Sequence, residues 1–230
     1  MRGQTRKGMS EDDPKKLLIE AGLDLFGRHS FDGASTRMLT DRAEVNLAAI
    51  QYHFGGKQGL YLAVADHIVQ EINGLLGPQL AKIQKALKSD TLSKEQSFRL
   101  LCELLELFVT GFLGQPRTEK WLTIIIREQL RPTEAFSVFF EGFMKPLDQT
   151  LFGLVARIMG REQDDREVKL RVFSIMGQIL VFHVSPSSVR RALTWESYGS
   201  ENLDAIRRVI IENLEGIFSA SWRGSFQGNG

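Results

Sequence analysis

The 230-residue sequence has one cysteine, three tyrosines, three tryptophans and almost no net charge. The single thiol, Cys102, excludes an internal disulfide, and no zinc-ligand spacing is present. Lying inside the apolar run LLCELLELF, it reads as a small core filler. Lys and Arg number 29 against 28 Asp and Glu, for a formal charge of +1. That excludes a generally basic coat, so any contact with nucleic acid must come from local placement of charge. Charges break every apolar stretch well short of the roughly 20 residues that span a bilayer. Residues 1–16 are polar and lack the apolar segment of a secretory signal. These absences predict a cytoplasmic protein with no membrane partner. No nucleophile–base pairing, metal spacing or phosphate loop stands out, so neither an enzyme, a metal site nor a cofactor is expected. There is no alternating strand pattern and no internal repeat.

What is present is helical periodicity. MRGQTRKGMSEDD is polar and aperiodic and predicts a flexible arm over 1–13. From Pro14, Leu18, Ala21, Gly22, Leu25 and Phe26 recur on one helical face, with Asp12 or Asp13 as N-cap. SFDGAS ends that helix, and Ser35 or Thr36 caps the next. Leu60, Tyr61, Val64, Ile68 and Ile72 mark a helix from Lys57 that Gly77-Pro78 should break. Later segments repeat the pattern, one with a kink expected at Pro146. The sequence therefore predicts an all-α chain of about nine helices. A head over 14–60 leads into a larger body over 61–223, with a flexible tail over 224–230.

The stretch DRAEVNLAAIQYHFGGKQGLYLA puts a helix of about seven residues between two longer ones. So short a helix is marginal alone and needs support from outside its own backbone. A helix–turn–helix supplies the reason, because its second helix enters the DNA major groove and is held from behind. The first helix would be Thr36–Ala43, the turn Glu44–Val45, and the reading helix Leu47–His53 with Asn46 as its cap. Val45, Ile50 and Phe54 would pack inward. Ala48 and Ala49 permit close approach, Gln51 suits adenine edges, and Tyr52 and His53 can donate to phosphates or bases. Lys57 opens the following helix, where its ammonium and the free backbone N–H groups both favour a phosphate.

TRMLTDRAEVNLAAIQYHFGGKQGLYLAV resembles the TetR-family repressor signature, and AGLDLFGRHSFDGAST resembles that family's first helix. The likeness covers about residues 14–65. It implies that Thr36, Arg37, Asn46, Ala48, Ala49, Gln51, Tyr52, His53 and Lys57 line a double-stranded DNA operator. Two positions depart from the family pattern. Glu44 stands where glycine is usual, so it must accept a positive φ at a cost or adopt another turn. Gln51 stands where tyrosine is frequent.

The body concentrates aromatics in mid-chain. Phe108, Phe112, Trp121, Ile125, Phe136, Phe139, Phe140, Phe143 and Met144 suggest an apolar small-molecule pocket, although aromatics at helical spacing are commonly core. Arg127, Glu128, Gln129 and His183 are the candidate polar anchors. IIIREQLRPTEAFSVFFEGFMKPL and IMGQILVFHVSPSSVRRALTW resemble the CecR-type (YbiH-like) subgroup, which implies a ligand-binding, dimerising body. Val172, Ile175, Met176, Ile179 and Leu180, with Leu203, Ile206, Val209, Ile210, Leu214 and Ile217, would then face a two-fold mate. The combined expectation is a homodimeric repressor released from a palindrome when an apolar or aromatic effector pivots the fourth helix. The competing expectation is a helical ligand-binding or adaptor protein that does not bind DNA.

Overall fold

The computed structural model describes residues 13–113 and 115–223. Most of the expected arm and all of the expected tail lie outside these residues. Every regular element among them is helical: eleven α-helices and one π-turn. The chain divides into two compact units, residues 1–67 and 68–230.

In the first unit, α1 (Pro14–Gly33) opens with Pro14, whose missing N–H falls where a helix needs none. Asp13 Oδ1 accepts from the Lys15 amide at 3.0 Å. The helix breaks near its end, where Ser30 takes φ 66°, ψ 174°. Beyond the break Phe31 meets Tyr61 at 5.1 Å between ring centroids, and Tyr61 meets Phe26 edge-on at 4.9 Å. This aromatic trio joins Leu18, Leu39, Leu60 and Val64 in the core of the head. Ser35 Oγ caps α2 (Thr36–Ala43) by accepting from the Met38 amide. α3 spans Ala48–Phe54, and α4 begins at Lys57. The tight Gly55–Gly56 corner places the Phe54 carbonyl against Gly59, where a Cβ would lie 1.8 Å from the oxygen. Only glycine fits there.

α4 (Lys57–Leu87) does not end at Gly77-Pro78 as expected; it runs 31 residues with Pro78 inside. Proline removes the hydrogen bond to the Gly74 carbonyl, but Gly74 and Pro78 are exposed, so water can serve that oxygen. Ile68, Ile72, Leu76, Leu80 and Ile83 stay buried in register on both sides of Pro78. Burying five such side chains, at about 1.5–3 kcal/mol each, outweighs a helix penalty of about 3 kcal/mol.

The rest of the second unit comprises α5 (Lys94–Phe112), α6 (Pro116–Leu130), α7 (Glu134–Phe139), a π-turn (Phe140–Met144), α8 (Lys145–Met159), α9 (Arg166–Val184), α10 (Pro186–Leu193) and α11 (Ser200–Arg223). A reciprocal Ser93–Gln96 capping box starts α5. α8 packs on α5 and α9, and α11 packs on all three. The kink expected at Pro146 falls just before it, in the π-turn. Pro146 cannot donate to the Gly142 carbonyl, so Asn73 Nδ2 of α4 donates to it instead at 3.1 Å. α4 comes so close that a Cβ on Gly142 would lie 2.7 Å from Val69. α9 and α10 meet at an 81° bend that the sequence does not foretell. The extra bend and the π-turn account for eleven helices rather than about nine. No single helix among the described residues is long and apolar enough to cross a membrane.

The face expected to meet a two-fold mate is corrected in part. Val172, Ile175 and Ile179 of α9, with Ile206, Ile210 and Leu214 of α11, are buried within their own chain. Of the expected residues Leu180 on α9 and Val209 on α11 are exposed, and the exposed apolar row on α9 is completed by Leu170, Phe173, Val181 and Val184, which were not expected.

Candidate nucleic-acid interface and ligand cavity

The turn between α2 and α3 is closed by Glu44 in the left-handed region, at φ 55°, ψ 38°. Its amide reaches the Asp41 carbonyl at 3.3 Å, and the Val45 amide reaches Thr40 at 3.1 Å, completing a Schellman closure. Asn46 Oδ1 then accepts from the Ala48 amide at 2.9 Å. Asn46 thus makes the expected capping hydrogen bond, although the helix runs Ala48–Phe54 rather than Leu47–His53 and Leu47 is the residue directly before it.

α3 is held by one side chain above all. Ile50 is 2% exposed, while Tyr52, two residues on, is 85% exposed. Ala48 and Gln51 are exposed, and Ala49 and His53 are half-buried. Tyr52 and His53 stand edge-to-face at 4.9 Å. Leu47, 57% exposed, joins this outer surface and was not among the expected contacts. Its place as the first residue of the expected reading helix, next to the cap Asn46, was the available signal. At the start of α2 Thr36 is half-buried, and Arg37 projects with a long ion pair to Asp41 at 3.9 Å. Lys57 is the first residue of α4, and its Nζ lies 4.4 Å from the Phe31 ring centre. That cation–π contact fixes the stem while leaving the ammonium donors for an anion. Between α1 and α2 the buried Asp24 carboxylate ties Arg28 at 3.2 Å to Arg42 at 3.5 Å.

The second unit contains a half-open cavity of about 430 Å³. Of the expected wall, Phe108, Phe112, Ile125, Phe136, Phe140, Phe143, Met144 and His183 line it. Trp121 and Glu128 do not. Trp121 is buried elsewhere, with Arg117 5.9 Å from its ring. Glu128 is 3% exposed, and its carboxylate accepts from the Thr133 amide and hydroxyl at 2.9 Å, securing the start of α7. Arg127 is likewise off the wall, while Gln129 lies on it, its amide 3.4 Å from Met144 Sδ. Phe139 is fully buried in the core. Burial pushes the His183 pKa below the ordinary histidine value, while the Ile179 and Phe112 carbonyls pull the other way. The wall also includes Ile72 and Leu76 of α4, Phe173 of α9, and Asp148 of α8. Asp148 was not expected there, yet a signal existed: it interrupts the apolar stripe Phe140, Met144, Leu147, Leu151.

Residues 18–64 match the model of the tetR family of bacterial regulatory proteins. Residues 99–220 match the C-terminal domain of the HTH-type transcriptional dual regulator CecR. The chain belongs to the TetR family, with a CecR-type body. The regulator is 28% identical to CecR of Shigella flexneri over 204 residues, covering 89% of this chain and 91% of that one. It is 25% identical to the repressor NicS of Pseudomonas putida over 131 residues, 55% of each chain. Among solved structures, a putative transcriptional regulator from Pseudomonas aeruginosa PAO1 superposes with a TM-score of 0.60 at 20% identity, covering 91% and 92% of the two chains. AibR, crystallised with isovaleryl coenzyme A and operator DNA, gives 0.62 at 13% identity over 86% and 96%. At such identities these two likenesses speak to the fold alone. The regulator is thus a DNA-binding transcriptional regulator of the TetR type.

Proposed function

We propose that the regulator is a repressor that holds a palindromic operator as a homodimer and lets go when a small apolar or aromatic molecule occupies the cavity of its body. The observation that carries the DNA half is the orientation of α3: Ile50 anchors it from behind, and Leu47, Ala48, Gln51 and Tyr52 are left facing outward. In this reading Gln51 and the small residues meet base edges. Thr36, Arg37, Asn46, Tyr52, His53 and Lys57 position the duplex through its phosphates.

A seven-residue helix spans only about 10 Å and reads few base pairs. Two of them, one DNA turn or about 34 Å apart, read a palindrome. The exposed row Leu170, Phe173, Leu180, Val181 and Val184 supports a two-fold interface, since monomers rarely leave so continuous an apolar stripe in water. Coupling needs only a ligand preference between two states, and about 1.4 kcal/mol shifts their ratio tenfold. α4 supplies a covalent route: Ile72 and Leu76 on the cavity wall belong to the same helix as Lys57.

Fluorescence anisotropy on DNA from upstream of the regulator's own gene, over a range of salt, tests the reading. Wild type should bind with a steep salt dependence. Lys57→Ala should weaken binding about tenfold or more and lower the log–log salt slope by about 1, the share of the single phosphate it no longer neutralises. Lys57→Arg should retain most of both. Unchanged affinity and slope for Lys57→Ala would remove the lysine from the interface.

A further inference from the structure

Six phenylalanines line the cavity, and one carboxylate lies among them. Asp148 joins the wall from the first turn of α8, beside Leu147 and four residues beyond Met144. Among the described residues it has no hydrogen bond and no ion pair, and burial alone pushes its pKa up. The nearest lysine in sequence, Lys145, is engaged with Glu141 at 2.7 Å. Among the described residues no Lys or Arg belongs to the cavity wall, and the one other titratable group there, His183, is driven toward its neutral form by burial.

Asp148 is half-buried, and a carboxylate that has lost part of its water and gained no partner raises the energy of the empty cavity. Three classes of ligand meet this wall differently. An anion finds no donor cation and is repelled by Asp148. A neutral aromatic fills the space and leaves the carboxylate unpaired. A cation with apolar substituents gives Asp148 its counter-charge, lies against the negative faces of the phenylalanine rings, and buries its substituents. We propose that the cavity is a site for lipophilic monocations, such as an ammonium or phosphonium centre bearing aromatic or branched apolar groups, with Asp148 as the counter-ion. This rests on the reading of the cavity as the effector site and narrows that site to one charge class.

Titration calorimetry on the full-length protein with three probes tests it: tetraphenylphosphonium, tetraphenylborate of like shape and opposite charge, and neutral 1-naphthol. Tetraphenylphosphonium should bind at least about tenfold more tightly than tetraphenylborate, an electrostatic gap of about 1.4 kcal/mol. In Asp148→Asn, checked for a native circular dichroism spectrum, the two ions should come within about threefold of each other. Equal affinities for the two ions in the wild-type protein would overturn the cation assignment, and that comparison needs no variant. If 1-naphthol binds while neither ion is preferred, the assignment falls and the effector cavity stands. If none of the three binds, both fall.

Discussion

Glu44 offers the sharpest measurement. It closes the helix–turn–helix with φ 55°, a conformation in which an L-residue's Cβ crowds the following carbonyl oxygen, at a cost of about 1–2 kcal/mol. Glu44→Gly removes that crowding and preserves both backbone hydrogen bonds, to Asp41 and from Val45 to Thr40. Glycine returns part of the gain, about 0.5–1 kcal/mol, through its freer unfolded chain. The net is a stabilisation of about 0.5–1 kcal/mol, confined to the head. For a unit of this size that raises its melting temperature by about 2–8 °C. Asparagine, which tolerates the left-handed region, should recover part of the same gain, and valine should destabilise. The readout matters: Trp121, Trp195 and Trp222 all lie in the second unit, so indole fluorescence is blind to the head. Far-UV circular dichroism or amide exchange at Ala43–Asn46 is the suitable probe. A glycine variant no more stable than wild type, or a valine variant equal to it, would refute the left-handed turn.

Two further outcomes follow from the packing. Gly59→Ala would force a methyl group to within 1.8 Å of the Phe54 oxygen and should destabilise the head by about 2–4 kcal/mol, measured by the same melt, with operator binding abolished alongside. Cys102 is partly buried and has acidic neighbours. Desolvation first, then Glu215 and Glu106, push its thiol pKa up to about 11, so near pH 8 it remains protonated. Alkylation by iodoacetamide should be about 100-fold or more slower than for a free thiol and should accelerate on adding urea. A fast reaction in the native protein would show the thiol to be exposed.

The helical class, the helix–turn–helix and most of the aromatic wall were legible because each depends on local pattern: a stripe, a cap, a turn residue. Asn46 is an example, since its role needs only the two residues after it. What escaped depends on partners distant in sequence. Pro78 reads as a stop until the five buried residues flanking it are known to share one surface. Glu128 has the charge of a ligand anchor, but its carboxylate is taken up by Thr133. Trp121 sits on a helix that lines the cavity, and its rotation about that axis decides that it faces elsewhere. The inward and outward rows of α9 differ by a fraction of a turn, so an apolar-rich helix does not reveal which row stays inside the chain and which reaches the surface.

The widened coil at Phe140–Met144 also sets the angular phase of everything after it. It spends about one residue more than an α-turn on the same rotation. Were that coil to tighten into ordinary α-helix with no residue removed, each later side chain would advance by about 100°. Leu147 would then inherit the seat of Asp148, and an aliphatic group would replace the carboxylate without any substitution. A one-residue deletion inside the coil does the opposite: it consumes the surplus and leaves Asp148 where it stands.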